Sequence, residues 1–437
     1  MDIQTVLLDG VDDAENERYI SCHLREQVHN LFDADEHIAA LGLTLDLVKM
    51  KRVPPPSIYV RVMHELVKSR SVEVSVATYS TLKQTLLLLD PDSRESAWRP
   101  SNAQHWTYIC SIIRELTALE SGMERMGYAT KDEKHKIVKK KRKNAPSGDL
   151  SRPSKKTKST ARAEFFKTIN SAAEEFNEAS PEARELAMLN RRLFLKYIIS
   201  IFQENIRLRP PKQLNHLYQL INCPADRFTE FGSNEADRMR HLIETQIFGL
   251  LQVGGHESRG LMQCLLEQLF YTYDPTHDVV QPYLRSGYAS LPLGKKCAFL
   301  ETIHNPVYKL SVLNMMLQSA GSEGQLTADQ KKLRNAPITV FKITRYCFKL
   351  EPAKSSDVDI AGVNKRDILS NAEEELVMLL SHLLQCFLFQ CKPLTSREKE
   401  ELSKDTTVWL KRRARKAAGR MEAYLHRIEM TVQLAGF

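Results

Sequence analysis

Apolar residues recur at every third or fourth position along most of the chain, the period of a helix that buries one stripe. From Ser57 onward Ile58, Val62, Leu66 and Val67 share a face, and in the next segment Val72, Val76, Tyr79, Leu82, Leu86 and Leu89 do the same. Prolines at 54–56 and the DPDS at 90–93 interrupt the pattern, as rigid and turn-forming residues do. Ser101 with Gln104 has the spacing of a capping box and opens a helix through Trp106, Ile109, Ile112, Ile113, Leu116, Leu119 and Met123. The chain upstream of the basic segment described below thus predicts about four or five helices.

Start signals repeat downstream. Ser180 before Pro181, Asn305 before Pro306, Thr327 with Gln330 and Thr395 with Glu398 each place a capping oxygen or a helix-preformed proline where the first backbone amides need partners. The helix from Pro181 carries Leu186, Leu189, Leu193, Phe194, Tyr197, Ile198, Ile201 and Phe202, and stops at Arg209, Pro210 and Pro211. Sustained strand alternation is missing. The best strand candidate, TVFKITRYCFKL at 339–350, reads better as a helix of β-branched residues. The predicted fold class is all-α, an irregular α-solenoid or a multi-helix stack, with no fixed repeat period.

The most apolar run, LVMLLSHLLQCFLFQC at 376–391, is interrupted by Ser381, His382, Gln385 and Gln390. A bilayer needs about twenty mostly apolar residues, so this run predicts a helix buried on nearly all sides and no membrane span. Glycine supports the helical reading: 17 in 437 residues, well below the usual frequency. With no basic start followed by an apolar run at the N-terminus, no secretory signal is expected. The eight cysteines lack a repeating spacing and read as reduced, mostly buried thiols.

Charge changes the picture at one place. Residues 131–158 hold twelve Lys or Arg and three acids, whereas the other 409 residues hold 50 basic and 51 acidic side chains, so the whole-chain excess of +8 belongs to this segment. It offers little to bury and reads as a disordered linker. Lys139, Lys140, Lys141, Arg142 and Lys143 stand eleven residues before Lys155, Lys156 and Lys158. That is the layout of a two-part nuclear import signal, in which two clusters fill two acidic, aromatic-lined grooves on an import receptor. The expected organisation is a helical region at 1–130, the linker at 131–160 and a second helical region at 161–437, in a nuclear protein.

Catalytic signatures are weak. VGGHESRG at 253–260 lacks the lysine and hydroxyl of a phosphate loop, follows no strand, and has Gly260 where a zinc-protease motif needs its second histidine, so it reads as a turn between helices. His382, Cys386 and Cys391 have a spacing that can face a metal, but on so apolar a helix they read as a core histidine and core thiols. No catalytic residue, metal or cofactor is expected. Two binding candidates remain. Val6, Leu7, Leu8 and Asp9, followed by further acids, form a short aliphatic run that can add as an edge strand to SUMO, or else simply cap the first helix. Lys411, Arg412, Arg413, Arg415, Lys416 and Arg420 crowd the first half of a helix predicted over 406–432, either as a solvated face or as a contact for a nucleic-acid backbone or an acidic partner helix.

Taken over 57–89 and 161–437, with VLLDGVDD and the import signal, the chain resembles the helical region shared by the SUMO-interacting-motif-containing and localisation-factor proteins that recruit the structural-maintenance-of-chromosomes five-six complex. The resemblance implies a non-enzymatic adaptor that pairs with a second helical protein subunit and loads the complex at SUMO-marked chromatin, viral or damaged DNA. The ankyrin and BRCT parts of one branch have no counterpart here. The rival reading is a helical nucleoprotein, cellular or viral, that coats RNA or DNA with the linker and the Arg412 to Arg420 patch; an enzyme of unrecognised helical type is a third. The near-neutral body favours the adaptor, with direct nucleic-acid contact secondary.

Alanine at all eight import-signal residues is expected to leave the protein in the cytoplasm with an unchanged melting temperature, because the segment buries almost nothing. Fluorescence imaging and a thermal scan check the two halves, and unchanged nuclear accumulation would refute the import reading.

Overall fold

Helices form where the pattern places them, and their ends show why. A computed structural model describes residues 20–89, 100, 103–127, 180–208, 215–223, 234–253, 255–322, 327–352, 365–390, 393–414 and 420–435. They make an all-α, multi-helix fold, with a two-residue antiparallel pair in which Gly321–Ser322 faces Glu351–Pro352. The chain divides into two units, Met1–Thr272 and Tyr273–Phe437. The first contains α1 (Cys22–Asp33), α2 (His37–Lys49), α3 (Pro56–Lys68), α4 (Val72–Leu88), α5 (Ala103–Gly127), α6 (Pro181–Leu208), α7 (His216–Asn222), α8 (Glu235–Arg240), a π-helical turn (His241–Ile247), α9 (Phe248–Val253) and α10 (His256–Thr272). Both α1 and α2 end in Schellman motifs. Glu36 N–H reaches Leu31 O and Arg52 N–H reaches Leu47 O, with Asp35 (φ 60°) and Lys51 (φ 61°) in the left-handed position that glycine usually takes.

The first unit is organised around α6. Ser180 Oγ accepts the Ala183 N–H at 3.2 Å and Pro181 presets the first turn. Met188, Phe194, Leu195, Tyr197, Ile198, Ile199, Ile201 and Phe202 are all buried, more than one face can hold, so α6 is covered from several sides by α3, α4, α5, α7 and α10. Helices on both sides of the basic segment pack on α6, and contacts divide the chain after Thr272. The segment itself and the Ser101 cap lie outside the described residues.

The face of α4 also departs from expectation. Leu82 and Leu86 are buried, but Val72 and Val76 are 57% and 50% exposed, and the buried stripe is completed by Ser75, Thr78, Thr81 and Thr85. Hydroxyls make this possible: Thr78 Oγ1 donates to Val74 O at 2.6 Å and Thr85 Oγ1 to Thr81 O at 2.7 Å, so these two hydroxyls are satisfied within their own helix. Small side chains on that stripe let α2, α3 and α6 approach closely. Ser75 Oγ donates to Asn190 Oδ1 of α6 at 2.6 Å, and Asn190 Nδ2 donates to Ser69 O at 2.9 Å.

Buried charge is neutralised within the unit. Glu120 of α5, 5% exposed, accepts from Arg192 Nη2 of α6 at 2.8 Å, from the Gly255 N–H at 2.9 Å and from Ser258 Oγ of α10. Arg192 also holds Glu257 at 2.7 Å, and Arg191 holds Glu115 at 2.7 Å. In VGGHESRG, Val253 ends α9 and His256 to Gly260 form the start of α10, so most of the stretch expected as a turn is helical, and Gly255, Glu257 and Ser258 fasten α10 to α5 and α6. Arg238, 1% exposed, donates to the Ile221 and Cys223 carbonyls at 3.0 and 2.6 Å and caps the end of α7.

The second unit runs α11 (Gln281–Ser290), α12 (Leu293–Thr302), α13 (Pro306–Ala320), α14 (Ala328–Lys332), α15 (Val340–Arg345), α16 (Lys365–Gln390), α17 (Ser396–Ala414) and α18 (Arg420–Leu434). Its centre is the apolar run of α16, where Leu376 to Leu380, Leu383 and Leu384 show no exposure at all, under α12, α13 and α18. Among the described residues no helix is long and apolar enough to cross a membrane. TVFKITRYCFKL is helical, as expected: Thr339 Oγ1 accepts the Lys342 N–H at 3.1 Å, and a 3-10 turn, Cys347–Lys349, follows α15. Thr395 and Glu398 form the expected reciprocal box, with Thr395 N–H on Glu398 Oε2 at 2.9 Å and Glu398 N–H on Thr395 Oγ1 at 3.3 Å. Lys342, fully buried, donates to Arg334 O at 2.7 Å and Ala336 O at 2.5 Å.

Two stability predictions follow from the first unit. Glu120→Ala leaves Arg192, Ser258 and the Gly255 amide without their shared acceptor and is expected to cost about 3 kcal/mol, measured by chemical denaturation. His241, in the π turn, is pushed down to about 4 by burial, then by Arg114 of α5 and Arg240, and it contacts Gln246 at 2.7 Å. Below its ordinary value of 6.5 the unfolded chain takes up a proton that the folded chain refuses until about pH 4. Stability is therefore full above 6.5 and falls across that window, by up to about 3 kcal/mol. His241→Gln should remove this share of the acid loss in pH-dependent denaturation curves.

Candidate functional site

Of the residues read from the sequence as binding candidates, Val6, Leu7, Leu8 and Asp9 lie outside the described residues. So do the import-signal residues and Arg415, Lys416 and Cys391. The basic patch divides. Instead of one helix over 406–432, α17 ends at Ala414 and α18 starts at Arg420. Lys411, Arg412 and Arg413 occupy the last turn of α17, where cations complement the helix dipole. Lys411, Arg412 and Arg420 are exposed, but Arg413 is 5% exposed and faces inward. Its Nη1 donates to Glu373 at 2.5 Å and its Nη2 to Leu350 O at 3.2 Å, and its guanidinium lies 5.9 Å from the Trp409 ring, which stacks on Phe348 at 5.4 Å. Arg412 reaches Glu351 at 3.1 Å. One-residue spacing cannot distinguish Arg412 from Arg413. The partner that decides it, Glu373, is far away in sequence.

A cleft of about 620 Å³ opens in the first unit, between the end of α3, the start of α4 and the first half of α6. Val67, Val72 and Leu186 give it an apolar wall, Asn190 lies in its floor, and Lys68, Arg70 and Glu182 stand exposed at its rim. The Asn190 bonds to Ser75 and Ser69 O fix that floor, and Arg191 is held by Glu115. Val72 and Val76 continue the apolar surface along α4. Such a lining supplies apolar contact, amide hydrogen bonds and charge pairing at the rim, the means of holding a partner segment. The sequence signalled this surface only indirectly, as two valines assigned to a buried stripe.

The second unit gathers a different set of groups. Cys297 and Glu301 lie one turn apart on α12 and His382 enters from α16, with Cys297 Sγ 3.6 Å from Glu301 Oε1 and 3.6 Å from His382 Nε2. Burial, then Lys309 and Arg427, pushes His382 down to about 4, so its imidazole is neutral at neutral pH. Burial also raises the Cys297 thiol, with Glu301 adding to the rise, while a hydrogen bond from Tyr424 and the charge of Arg427 oppose it. Reading along one helix paired His382 with Cys386 and Cys391. In the fold Cys386 turns to Pro306 O at 3.6 Å, and the partner thiol comes from another helix.

The chain matches no family model, no curated protein and no solved structure.

Proposed function

We propose that the chain is a non-enzymatic nuclear adaptor that acts through protein–protein contacts, with SUMO-dependent recruitment of a chromosome-maintenance complex to chromatin or foreign DNA as its specific role. The supporting observation is where positive charge is available. In the folded second unit Arg413 is neutralised by Glu373 and Arg412 meets Glu351, whereas the import segment holds the entire net excess of the chain. Encapsidation of nucleic acid needs a basic groove on the folded surface. The cleft beside Val72 and Val76 suits an adaptor instead. A helix of a second subunit would lay an apolar stripe on the exposed valines and bring carboxylates to Lys68 and Arg70.

The test is recovery of complexes from nuclei, with and without nuclease. A helical partner that survives nuclease supports the adaptor. Val72→Asp with Val76→Asp should release that partner at little cost in stability, because both positions are exposed and an acid at Val72 suits the first turn of α4. Val6, Leu7 and Leu8 changed to alanine should abolish capture of SUMO chains. Recovery that depends wholly on nucleic acid would refute the reading.

A further inference from the structure

The Cys297, Glu301 and His382 cluster plays no part in the docking surface proposed above, and its three donor atoms lie close enough together to share one ion. One donor atom from each residue lies within 4.8 Å of the other two. Zinc binds thiolate at about 2.3 Å and imidazole or carboxylate at about 2.0 Å, and tetrahedral angles on those bonds separate sulfur from nitrogen or oxygen by about 3.5–3.6 Å. Both separations here are 3.6 Å. We propose that Cys297 Sγ, one Glu301 carboxylate oxygen and His382 Nε2 form a three-ligand zinc site that fastens α12 to α16, with the fourth position open to water.

The residue types fit the ion. A thiolate, a neutral imidazole and a carboxylate are the mixed donors zinc accepts, and the thiolate disfavours magnesium and calcium. Burial grades outward: His382 is 2% exposed, Cys297 is half-buried and Glu301 faces solvent, so the ion has an aqueous path to a rigid inner ligand. The two helices are fixed independently of the ion. Lys296, next to Cys297, pairs with Glu375 of α16 at 2.5 Å and lies over the Tyr288 ring at 5.0 Å. Zinc with one thiolate and one carboxylate is electrically neutral, which limits repulsion from the neighbouring Lys309 and Arg427. Binding releases the thiol proton to solvent and forms the zinc–sulfur bond without any change of oxidation state. The alternative is a thiol hydrogen-bonded to Glu301 or to the imidazole, with no metal.

Full-length protein, purified without a histidine tag from zinc-supplemented cells, is expected to contain one zinc per chain by mass spectrometry. Chelation followed by cobalt(II) should restore one equivalent with a thiolate-to-cobalt charge-transfer band. Cys297→Ser should lose the band and the zinc, and Glu301→Gln should weaken binding. Both positions are at least partly exposed, so circular dichroism should show unchanged helicity. Zinc should raise the melting temperature of the wild type and leave that of Cys297→Ser unmoved. Folded wild type with neither zinc nor a cobalt band would overturn the proposal, and so would a band that persists in Cys297→Ser, since the ion would then sit on other thiols.

Discussion

Each unit depends on a helix that is buried around most of its circumference. In the first unit α6 buries Phe194, Tyr197, Ile198 and Phe202 together with Leu195 and Ile199, which point in different directions around its axis. In the second, five consecutive residues of α16 from Leu376 to Leu380 are fully enclosed. At about 25 cal/mol per Å² of buried apolar surface, each such leucine or phenylalanine contributes about 2 kcal/mol, so the free energy of covering these two helices decides where every neighbour goes. Of the helices before the basic segment, α3, α4 and α5 pack directly on α6.

A second consequence concerns charge. Enclosing long helices brings cations into the interior, and each is met by a nearby acceptor: Arg192 by Glu120, Arg238 by the carbonyls ending α7, Lys296 by Glu375, Lys342 by two carbonyls, Arg413 by Glu373. A lone buried charge would cost several kcal/mol, so these pairs are conditions of the packing more than sources of net stability. Function inherits the arrangement. Several basic side chains of the body, Arg192, Arg238, Lys296, Lys342 and Arg413 among them, are used to close the fold, while Lys68, Arg70, Lys411, Arg412 and Arg420 stay exposed.

Local chemistry made much of this legible. The Ser180, Asn305 and Thr395 caps, the helical character of TVFKITRYCFKL and the buried run of α16 all rest on residues within a few positions of one another. What was hidden depends on distant partners or on polar atoms that satisfy themselves. The Ser75, Thr78 and Thr85 stripe looks polar until Thr78 and Thr85 are seen to bond back to their own helix and Ser75 to bond Asn190 of α6, which turned the expected face of α4 and left Val72 and Val76 outside. Arg413 read as surface because Glu373 lies on another helix. His382 was paired with cysteines of its own helix, whereas Cys297, 85 positions away, supplies the thiol.

The central claim is that nucleic-acid affinity, if present, resides in the linker and the folded body acts on proteins. It is tested most directly by a salt titration of single-stranded RNA and duplex DNA binding. Three full-length proteins are compared: wild type, the variant with the eight import-signal residues changed to alanine, and the variant with Lys411, Arg412 and Arg420 changed to glutamate. The account predicts weak, salt-steep binding by the wild type that disappears in the linker variant and persists in the other. Tight binding by the linker variant, with a steep salt slope that the glutamate changes abolish, would contradict it.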